Sequence, residues 1–312
     1  MTRTWRLTAA TVAIAVVSPL LPDVQANAGA TPPAATEFVV ERLHYSIAAR
    51  IRPLLVFWLS RSGVGDAVVT RRTAPGEASY SLLIGSDPER APRRINRWGY
   101  IQEEISGAEA HLIGLMTESQ EETVEQAQEN LKTQAAGRHP FKVIRATVSS
   151  DRASSLVTTM TAPEDYTFRE LETVLRLAVR DDMGGRSRVL QLQPGTRPGL
   201  LTALADAMHD SSRSPIRYVY DGRLYELRQT RLRHIPDMRI GGESYGPAVA
   251  ADFMISSTHD GTRTPFSMTY GTEGRFAQVP LKVSYQPRWW MQVELTIEEA
   301  TDRSYLSDRT GR

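Results

Sequence analysis

The chain has 312 residues, and its 37 Lys and Arg side chains against 36 Asp and Glu leave a formal net charge of only +1. A charge this close to zero gives no strong field that would favour nucleic acid or an anionic membrane surface as a partner. The sequence contains no cysteine, which excludes disulfide bonds, thiol catalysis and cysteine-ligated metal centres. A folded domain of this length must therefore be held by its apolar core alone.

Residues 1–28 have the layout of a secretory signal peptide. Arg3 and Arg6 precede an uncharged, mostly apolar run over 7–21, and small residues up to Ala28 offer cleavage sites. The run is short for the roughly 20 apolar residues that span a bilayer. We therefore expect an exported protein, periplasmic or extracellular, with no transmembrane span after cleavage; an uncleaved anchor is the alternative.

The rest of the chain divides by composition. Residues 29–36 are small and proline-containing, which predicts a flexible leader. Residues 37–300 are expected to form a single β-rich domain, with a possible joint in the glycine- and proline-rich stretch 184–199. The polar tail 301–312 is expected to fray.

The first part of the domain is rich in strand patterns. Residues 43–51 alternate apolar and polar, which predicts a strand with one wet face. The run LLVFWL at 54–59 is apolar at every position, which predicts a strand covered on both faces. Residues 63–66 are interpreted as a turn, and residues 67–72 and 80–84 as further strands.

Helix signals lie in the middle of the chain. Ser119 and Glu122 form a capping-box pattern for a helix over 120–135, and Thr167 and Glu170 repeat that pattern before a second, amphipathic helix. Pro198 stands at the start of a third helix, whose apolar residues follow at helical spacing: Leu201, Leu204, Ala205 and Met208. Before the second helix, residues 141–148 and 154–160 are predicted to form a hairpin.

The last third is predicted to be a β-meander. Asp221-Gly222 and Asp260-Gly261 are hairpin turn signals, and residues 279–285 and 289–297 alternate with period two. Strands at both ends of the chain with helices between them do not fit a doubly wound fold. The predicted class is α+β: a curved, half-barrel-like antiparallel β-sheet with two or three helices packed on it.

The stretch Gly242-Glu243-Ser244-Tyr245-Gly246 matches the G-x-S-x-G pattern of serine hydrolases. That pattern needs a strand-to-helix turn, followed along the chain by an acid and a histidine. After Ser244 the only histidine is His259, and Asp252 is the only acid between them. The surrounding pattern is antiparallel, so we interpret the stretch as a glycine-rich connection between strands and reject Ser244 as a nucleophile.

A segment rich in arginine and aromatic residues, 86–104, is the most site-like part of the sequence. Its side chains could clamp an anionic or sugar-like ligand by bidentate hydrogen bonds and stacking. Alternatively, its arginines could pair with Asp87, Glu89, Glu103 and Glu104 on a long ordered loop. The candidate ligand-binding residues are Arg90, Arg93, Arg94, Arg97, Trp98 and Tyr100.

No cofactor or metal site is expected from the motifs. The six histidines show no metal-binding spacing, and neither a phosphate-binding loop nor a dinucleotide fingerprint occurs. An ion held by residues distant in sequence is the alternative.

An exported chain with a curved antiparallel sheet resembles the periplasmic lipoprotein-carrier superfamily, the LolA-type half-barrels. The most similar parts are the meander 253–297 and the opening hairpin 44–72. The resemblance implies a concave apolar face that holds an acyl chain or another amphiphile, with helices as a lid. It implies no individual binding residue, and the chain departs from the family in its length and its arginine-rich segment.

These observations favour a non-catalytic exported protein that binds an amphiphile or an envelope partner on its sheet. One alternative is an envelope assembly partner that acts by strand addition at a sheet edge. The other is a hydrolase of envelope polymers that uses a pair of carboxylates.

Overall fold

The computed structural model describes most of the chain from Phe38 onward. The described residues fall within one compact unit, Thr36–Arg312. The predicted signal peptide, leader and helix 120–135, together with Arg93, lie outside them, as does most of the second helix. The described residues are 38–52, 58–91, 94–117, 138–163, 166–171, 175, 184–210, 214–288, 291–298 and 305–306.

Strands dominate this part of the protein, and we number them along the chain. The strands are β1 (Phe38–Ile51), β2 (Leu59–Ala74), β3 (Glu77–Ser86), β4 (Trp98–Ser106), β5 (Glu109–Thr117), β6 (Arg138–Val148), β7 (Arg152–Pro163), β8 (Arg186–Gln191), β9 (Ile216–Tyr220), β10 (Arg223–Ile235), β11 (Arg239–Ile240), β12 (Glu243–Ser244), β13 (Ala248–Ser257), β14 (Arg263–Gly271), β15 (Pro280–Arg288), β16 (Met291–Ile297) and β17 (Tyr305–Leu306). The α-helix α1 spans Leu200–His209, and 3₁₀ turns span Phe168–Glu170 and Gly274–Phe276. No helix in the described ranges is long and apolar enough to cross a membrane.

Almost all of the strands join one antiparallel sheet, in the order β8-β7-β6-β5-β4-β3-β2-β1-β16-β15-β14-β13-β10-β9. β1 connects the two halves because it pairs with β2 on one side and β16 on the other, so that Tyr45 lies opposite both Ala67 and Ile297. Strands that are neighbours in sequence are otherwise mostly neighbours in the sheet, as expected for a meander. The predicted antiparallel sheet is confirmed.

The sheet curves until its two ends overlap. Val219 of β9 is fully buried in a cluster with Leu112 of β5, so the β9–β10 hairpin packs over β5–β8. At the turn of this hairpin, Arg188 of β8 donates a hydrogen bond to the Asp221 carbonyl at 3.2 Å. We call the face of β1–β8 that carries Leu112 the inner face. On the other half of the sheet, it continues through Tyr45 to Leu281.

The inner face carries most of the core and is covered by short elements of the same chain. Tyr245, next to β12, and Phe276, in a 3₁₀ turn, cover the part formed by β1, β15 and β16. The helix α1 covers the part formed by β9, β10, β13 and β14. The outer face carries a separate cluster around Trp98 and Phe141, which Leu171 covers.

The helix after Pro198 and the capping box at Thr167 are confirmed. The Thr167 hydroxyl accepts a hydrogen bond from the Arg169 amide, and the Glu170 carboxylate accepts one from the Thr167 amide at 2.7 Å. In α1 the buried residues are Ala203 and Ala207, which allow the helix to approach the sheet closely.

Two predictions about local structure are wrong. Residues 63–66 lie inside β2 rather than in a turn. In the run LLVFWL, β2 begins only at Leu59, and the described side chains Trp58 and Leu59 are exposed rather than covered. The possible joint 184–199 stays a prediction; the stretch contains the edge strand β8, which pairs with β7 in the main sheet.

Candidate functional sites

The loop within the arginine-rich segment is shorter than the predicted 86–104. Only residues 87–97 connect β3 to β4, because the strand β4 begins at Trp98. Trp98 is buried on the outer face, where its ring lies 5.4 Å from that of Phe141. Tyr100 also lies in β4, and its hydroxyl donates to the Gln102 side chain at 2.6 Å. The two aromatic candidates are therefore parts of the sheet and not a platform on the loop.

Arg90 is held by two carboxylates. Its guanidinium lies 2.7 Å from Asp66 of β2 and 2.8 Å from Asp87. Asp87 is buried and also pairs with Arg169 at 3.1 Å and accepts from the Glu89 amide at 3.0 Å. This network fixes the start of the loop against the sheet. It matches the ion-pair alternative for Arg90, with Asp66 and Asp87 as the partners.

The remaining candidates do not converge on Arg90. Arg94 is exposed and has a left-handed backbone, with φ of 55°, on the loop. Arg97 directs its guanidinium to the Asn96 carbonyl at 3.3 Å. Glu103, expected as an ion-pair partner, instead points to the inner face. A ligand-binding role for these arginines stays a prediction.

Replacing Asp87 by asparagine is expected to lower the free energy of unfolding by about 1–2 kcal/mol, because two arginines and an amide lose a charged acceptor. The hydrogen bond from Arg90 lowers the pKa of Asp87 below its ordinary value of 3.8. The wild type should gain this stability above pH 3.8 and lose it as the pH falls through the lowered pKa; D87N should not. Urea unfolding at several pH values measures both effects.

The matched control is E89Q, since Glu89 is exposed on the same loop. We expect it to change the unfolding free energy by less than about 0.5 kcal/mol. Equal effects of D87N and E89Q would mean that the network around Asp87 does not hold the loop.

Ser244 lies in a two-stranded antiparallel hairpin, where β11 and β12 are joined through Gly241 and Gly242. Its hydroxyl donates to the Asp237 carboxylate, and this hydrogen bond lowers the pKa of Asp237. β13 begins four residues after Ser244, and His259 follows the far end of that strand. Ten strand residues span roughly 30 Å, so Ser244 and His259 cannot meet. The stretch is a connection between strands without the strand-to-helix turn of a nucleophile elbow.

Glu103, expected as an ion-pair partner on the arginine-rich loop, is instead a buried carboxylate on the inner face. It lies on β4, is fully inaccessible to solvent, and meets the first turn of α1. It accepts hydrogen bonds from the Leu201 amide at 2.7 Å, the Thr202 amide at 2.8 Å and the Thr202 hydroxyl at 2.6 Å. Burial raises the pKa of Glu103, and these hydrogen bonds oppose the rise. The helix therefore takes its N-terminal acceptor from a strand about a hundred residues earlier, because Gly199 at the N-cap has no side chain.

A polar cleft of about 420 Å³ lies beside the C-terminal end of α1, lined by residues of α1, β9 and the turn 194–197. Its two arginines have anionic partners: Arg197 pairs with Asp206, and Arg217 lies 3.3 Å from Glu226. His209 shares a hydrogen bond of 2.7 Å with Gln278. The charges of the cleft are thus matched internally, which gives it no evident preference for an anionic or cationic ligand.

Within the described ranges, no group of three or more His, Asp or Glu side chains is arranged to hold a metal ion.

The remaining candidate is a group of apolar side chains where the inner face reaches one end of the sheet. Ile51 lies opposite both Leu59 and Met291, and Tyr285 lies opposite Val293 in the next strand pair. Further along the same strands Ile47 and Leu295 are buried, but here Leu59 is 54%, Trp58 40% and Tyr285 37% exposed. We name this surface the apolar rim: Ile51, Leu59, Tyr285 and Met291 on the inner face, together with the exposed Trp58, which immediately precedes Leu59.

The apolar rim is distinctive because large exposed apolar side chains are few elsewhere. Among the described residues only five are exposed to this degree, and three of them belong to the rim; the others are Met116 and Val189. Scattered exposed apolar residues are ordinary, whereas a contiguous group commonly marks a binding surface.

Comparison of the chain with protein-family models, curated proteins and solved structures gave no match. The resemblance to lipoprotein carriers therefore stays a prediction.

Proposed function

We propose that this protein is an exported, non-catalytic binding protein of the cell envelope, and that it binds an amphiphile at the apolar rim. The observation that carries the proposal is the exposure of Trp58, Leu59 and Tyr285 at the place where the inner face ends. Burying a Leu or an aromatic side chain against a ligand is worth roughly 1.5–3 kcal/mol, so a few such contacts give a useful affinity.

The shape of the sheet supports this proposal. A curved antiparallel sheet with an apolar concave face is the half-barrel arrangement expected of an amphiphile carrier. Most of the inner face in the described residues is filled by side chains of the chain itself, such as Tyr245 and Phe276. The rim is the part that they leave uncovered, so the ligand is proposed to bind there rather than deep inside.

The two alternatives have weaker support. Strand addition would use the edge strand β8, which is only six residues long and carries Arg186 and Arg188, features that protect an edge from pairing. Hydrolysis would need two carboxylates that face a common cleft. Asp206 faces the polar cleft, but it is already paired with Arg197.

The test is native mass spectrometry of the protein purified after export from its own compartment, followed by organic extraction. We expect a co-purified amphiphile in stoichiometric amount. The variants L59S and Y285S should each bind it about tenfold more weakly, because each loses one buried apolar contact.

The control variant is V189S, which removes an exposed apolar side chain from β8. It should retain the ligand. Wild-type protein that carries no amphiphile, or equal losses of amphiphile binding in L59S and V189S, would contradict the proposed binding surface.

A further inference from the structure

The apolar rim belongs to two hairpins, β1–β2 and β15–β16, whose stretches nearest the rim contain arginines and no acid. Residues 42–65, which include the end of β1 and the start of β2, contain Arg42, Arg50, Arg52 and Arg61 but no Asp or Glu. Residues 274–293, which include the end of β15 and the start of β16, contain Arg275, Lys282 and Arg288 and again no acid, although Lys282 pairs with Glu294 at 3.0 Å. The chain as a whole is nearly neutral, so this is a local excess of charge.

These two hairpins are neighbours in the sheet. β1 pairs with β16 through Ala49–Val293 and Ile51–Met291, so the hairpin ends lie side by side. The apolar residues of β1, β2 and β16 therefore form one surface, and Arg50 and Arg61 lie beside it in the β1–β2 pair.

The register places arginines on both sides of the β1–β2 hairpin. Arg61 lies opposite Ala49, and residues opposite each other in a sheet share a face. Arg50 follows Ala49 and so lies on the other face. Both arginines are exposed, and neither has a carboxylate partner in the part of the chain that the structure describes. Arg61 is three residues from Trp58, a rise of about 10 Å along an extended strand.

This arrangement fits an interface between water and lipid. A Trp side chain prefers the level of the headgroups, and a Leu side chain gains from burial at the acyl boundary. Arg61, which lies about 10 Å from Trp58 along the strand, would meet the headgroups, whose layer is roughly 5–8 Å thick. Because Arg50 and Arg61 lie on opposite faces, they would both meet headgroups only if the hairpin entered the surface end-on.

We propose that the apolar rim docks on the surface of an anionic lipid bilayer, with Trp58 and Leu59 inserted and Arg50 and Arg61 on the headgroup phosphates. The inference rests on the proposed function because it uses the same apolar surface. It names a membrane as the partner, rather than only a dispersed amphiphile. Each arginine near an anionic surface contributes about 1 kcal/mol, so the two together favour anionic over neutral vesicles by at least about tenfold.

The experiment is vesicle flotation with the protein collected after export, its N-terminus fixed by mass measurement so that no signal segment contributes. Vesicles of phosphatidylcholine alone are compared with an equimolar mixture of phosphatidylcholine and phosphatidylglycerol. We expect at least about tenfold stronger binding to the mixture, weakened by added salt. R50E R61E should lose at least about tenfold on the mixture, and W58S L59S should lose binding to both kinds of vesicle.

Two control variants are matched to these. R152E R233E makes the same change in net charge at exposed arginines of β7 and β10 near the opposite end of the sheet, and V189S removes an exposed apolar side chain from β8. Both should bind vesicles as the wild type does. No preference of the wild type for the anionic mixture, or equal losses in R50E R61E and R152E R233E, would overturn the inference.

A soluble fluorescent fatty acid, tested on the same variants, separates this inference from the proposed function. Binding of the fatty acid without binding of vesicles means that the docking inference is wrong and the amphiphile site stands. Absence of both overturns the proposed function as well. An acidic protein captured in place of either lipid would contradict both.

Discussion

Replacing Glu103 by alanine is expected to lower the free energy of unfolding by roughly 3–4 kcal/mol. The substitution leaves the amides of Leu201 and Thr202 and the Thr202 hydroxyl without their acceptor in a place that water does not reach. A buried donor left without a partner costs far more than the net value of the hydrogen bond that it made. Urea unfolding measures the effect, and E104A is the control because Glu104 is exposed on the same strand.

The variant E103Q separates the charge of this side chain from its shape. Burial raises the folded-state pKa of Glu103 above its ordinary value of 4.5. The stability linked to its protonation is therefore fully present below pH 4.5 and is lost as the pH rises through the raised pKa. Relative to E103Q, the wild type should become less stable over this range, by about 1.4 kcal/mol for each unit of the rise in pKa. A constant difference between the two proteins would show that Glu103 keeps its ordinary pKa.

Replacing Gly199 by alanine is expected to destabilise the protein by about 3 kcal/mol. The backbone of Gly199 is extended, with φ of −157°, so alanine meets no backbone strain there. Its Cβ would instead overlap the carboxylate of Glu103, which would have to leave the first turn of α1. The control is G184A, since a Cβ at Gly184 meets nothing within 4 Å.

The two substitutions should be strongly non-additive. In the E103A background the carboxylate that obstructs the new methyl group is gone, so G199A should cost less than about 1 kcal/mol there. Unfolding measurements on the four proteins of this cycle give the coupling directly. Additive effects would mean that the cost of G199A comes from the backbone and not from Glu103.

The antiparallel sheet and its hairpins could be predicted because their signals are local. Asp221-Gly222 lies between Tyr220 and Arg223, which face each other across the β9–β10 turn as expected. The helix α1 was likewise visible from its apolar spacing, but that spacing favours Leu204 and Met208, whereas the buried positions are Ala203 and Ala207. The face a helix buries depends on how closely its partner approaches, and one sequence read alone does not carry that information.

The role of Glu103 could not be predicted, although a signal existed. Glu103 has the same parity as Ile101 and Ile105 in β4, which places a carboxylate on an apolar face. Only the three-dimensional arrangement brings the start of α1 to that position. For the arginine-rich segment the error was different: β4 begins within it, which turns Trp98 into a core residue.

The apolar rim was hidden by an ambiguity of pattern. A run of consecutive apolar residues such as LLVFWL is typical of a strand buried on both faces. An exposed apolar surface produces the same run, so the pattern alone does not separate the two. The exposure of Trp58 and Leu59 distinguishes the two cases, and it depends on where β2 begins.

The central position of β1 sets the order in which this protein can fold. β1 pairs with β2 on one edge and with β16 and β17 on the other, and the hydrogen bond from the Tyr45 hydroxyl to the Pro280 carbonyl joins residues 235 apart in the sequence. Contacts of such long separation close large loops and slow folding. The β1–β8 half can form early, but one edge of β1 stays unpaired until β16 arrives. During synthesis, that edge is open to mispairing and to the action of a chaperone.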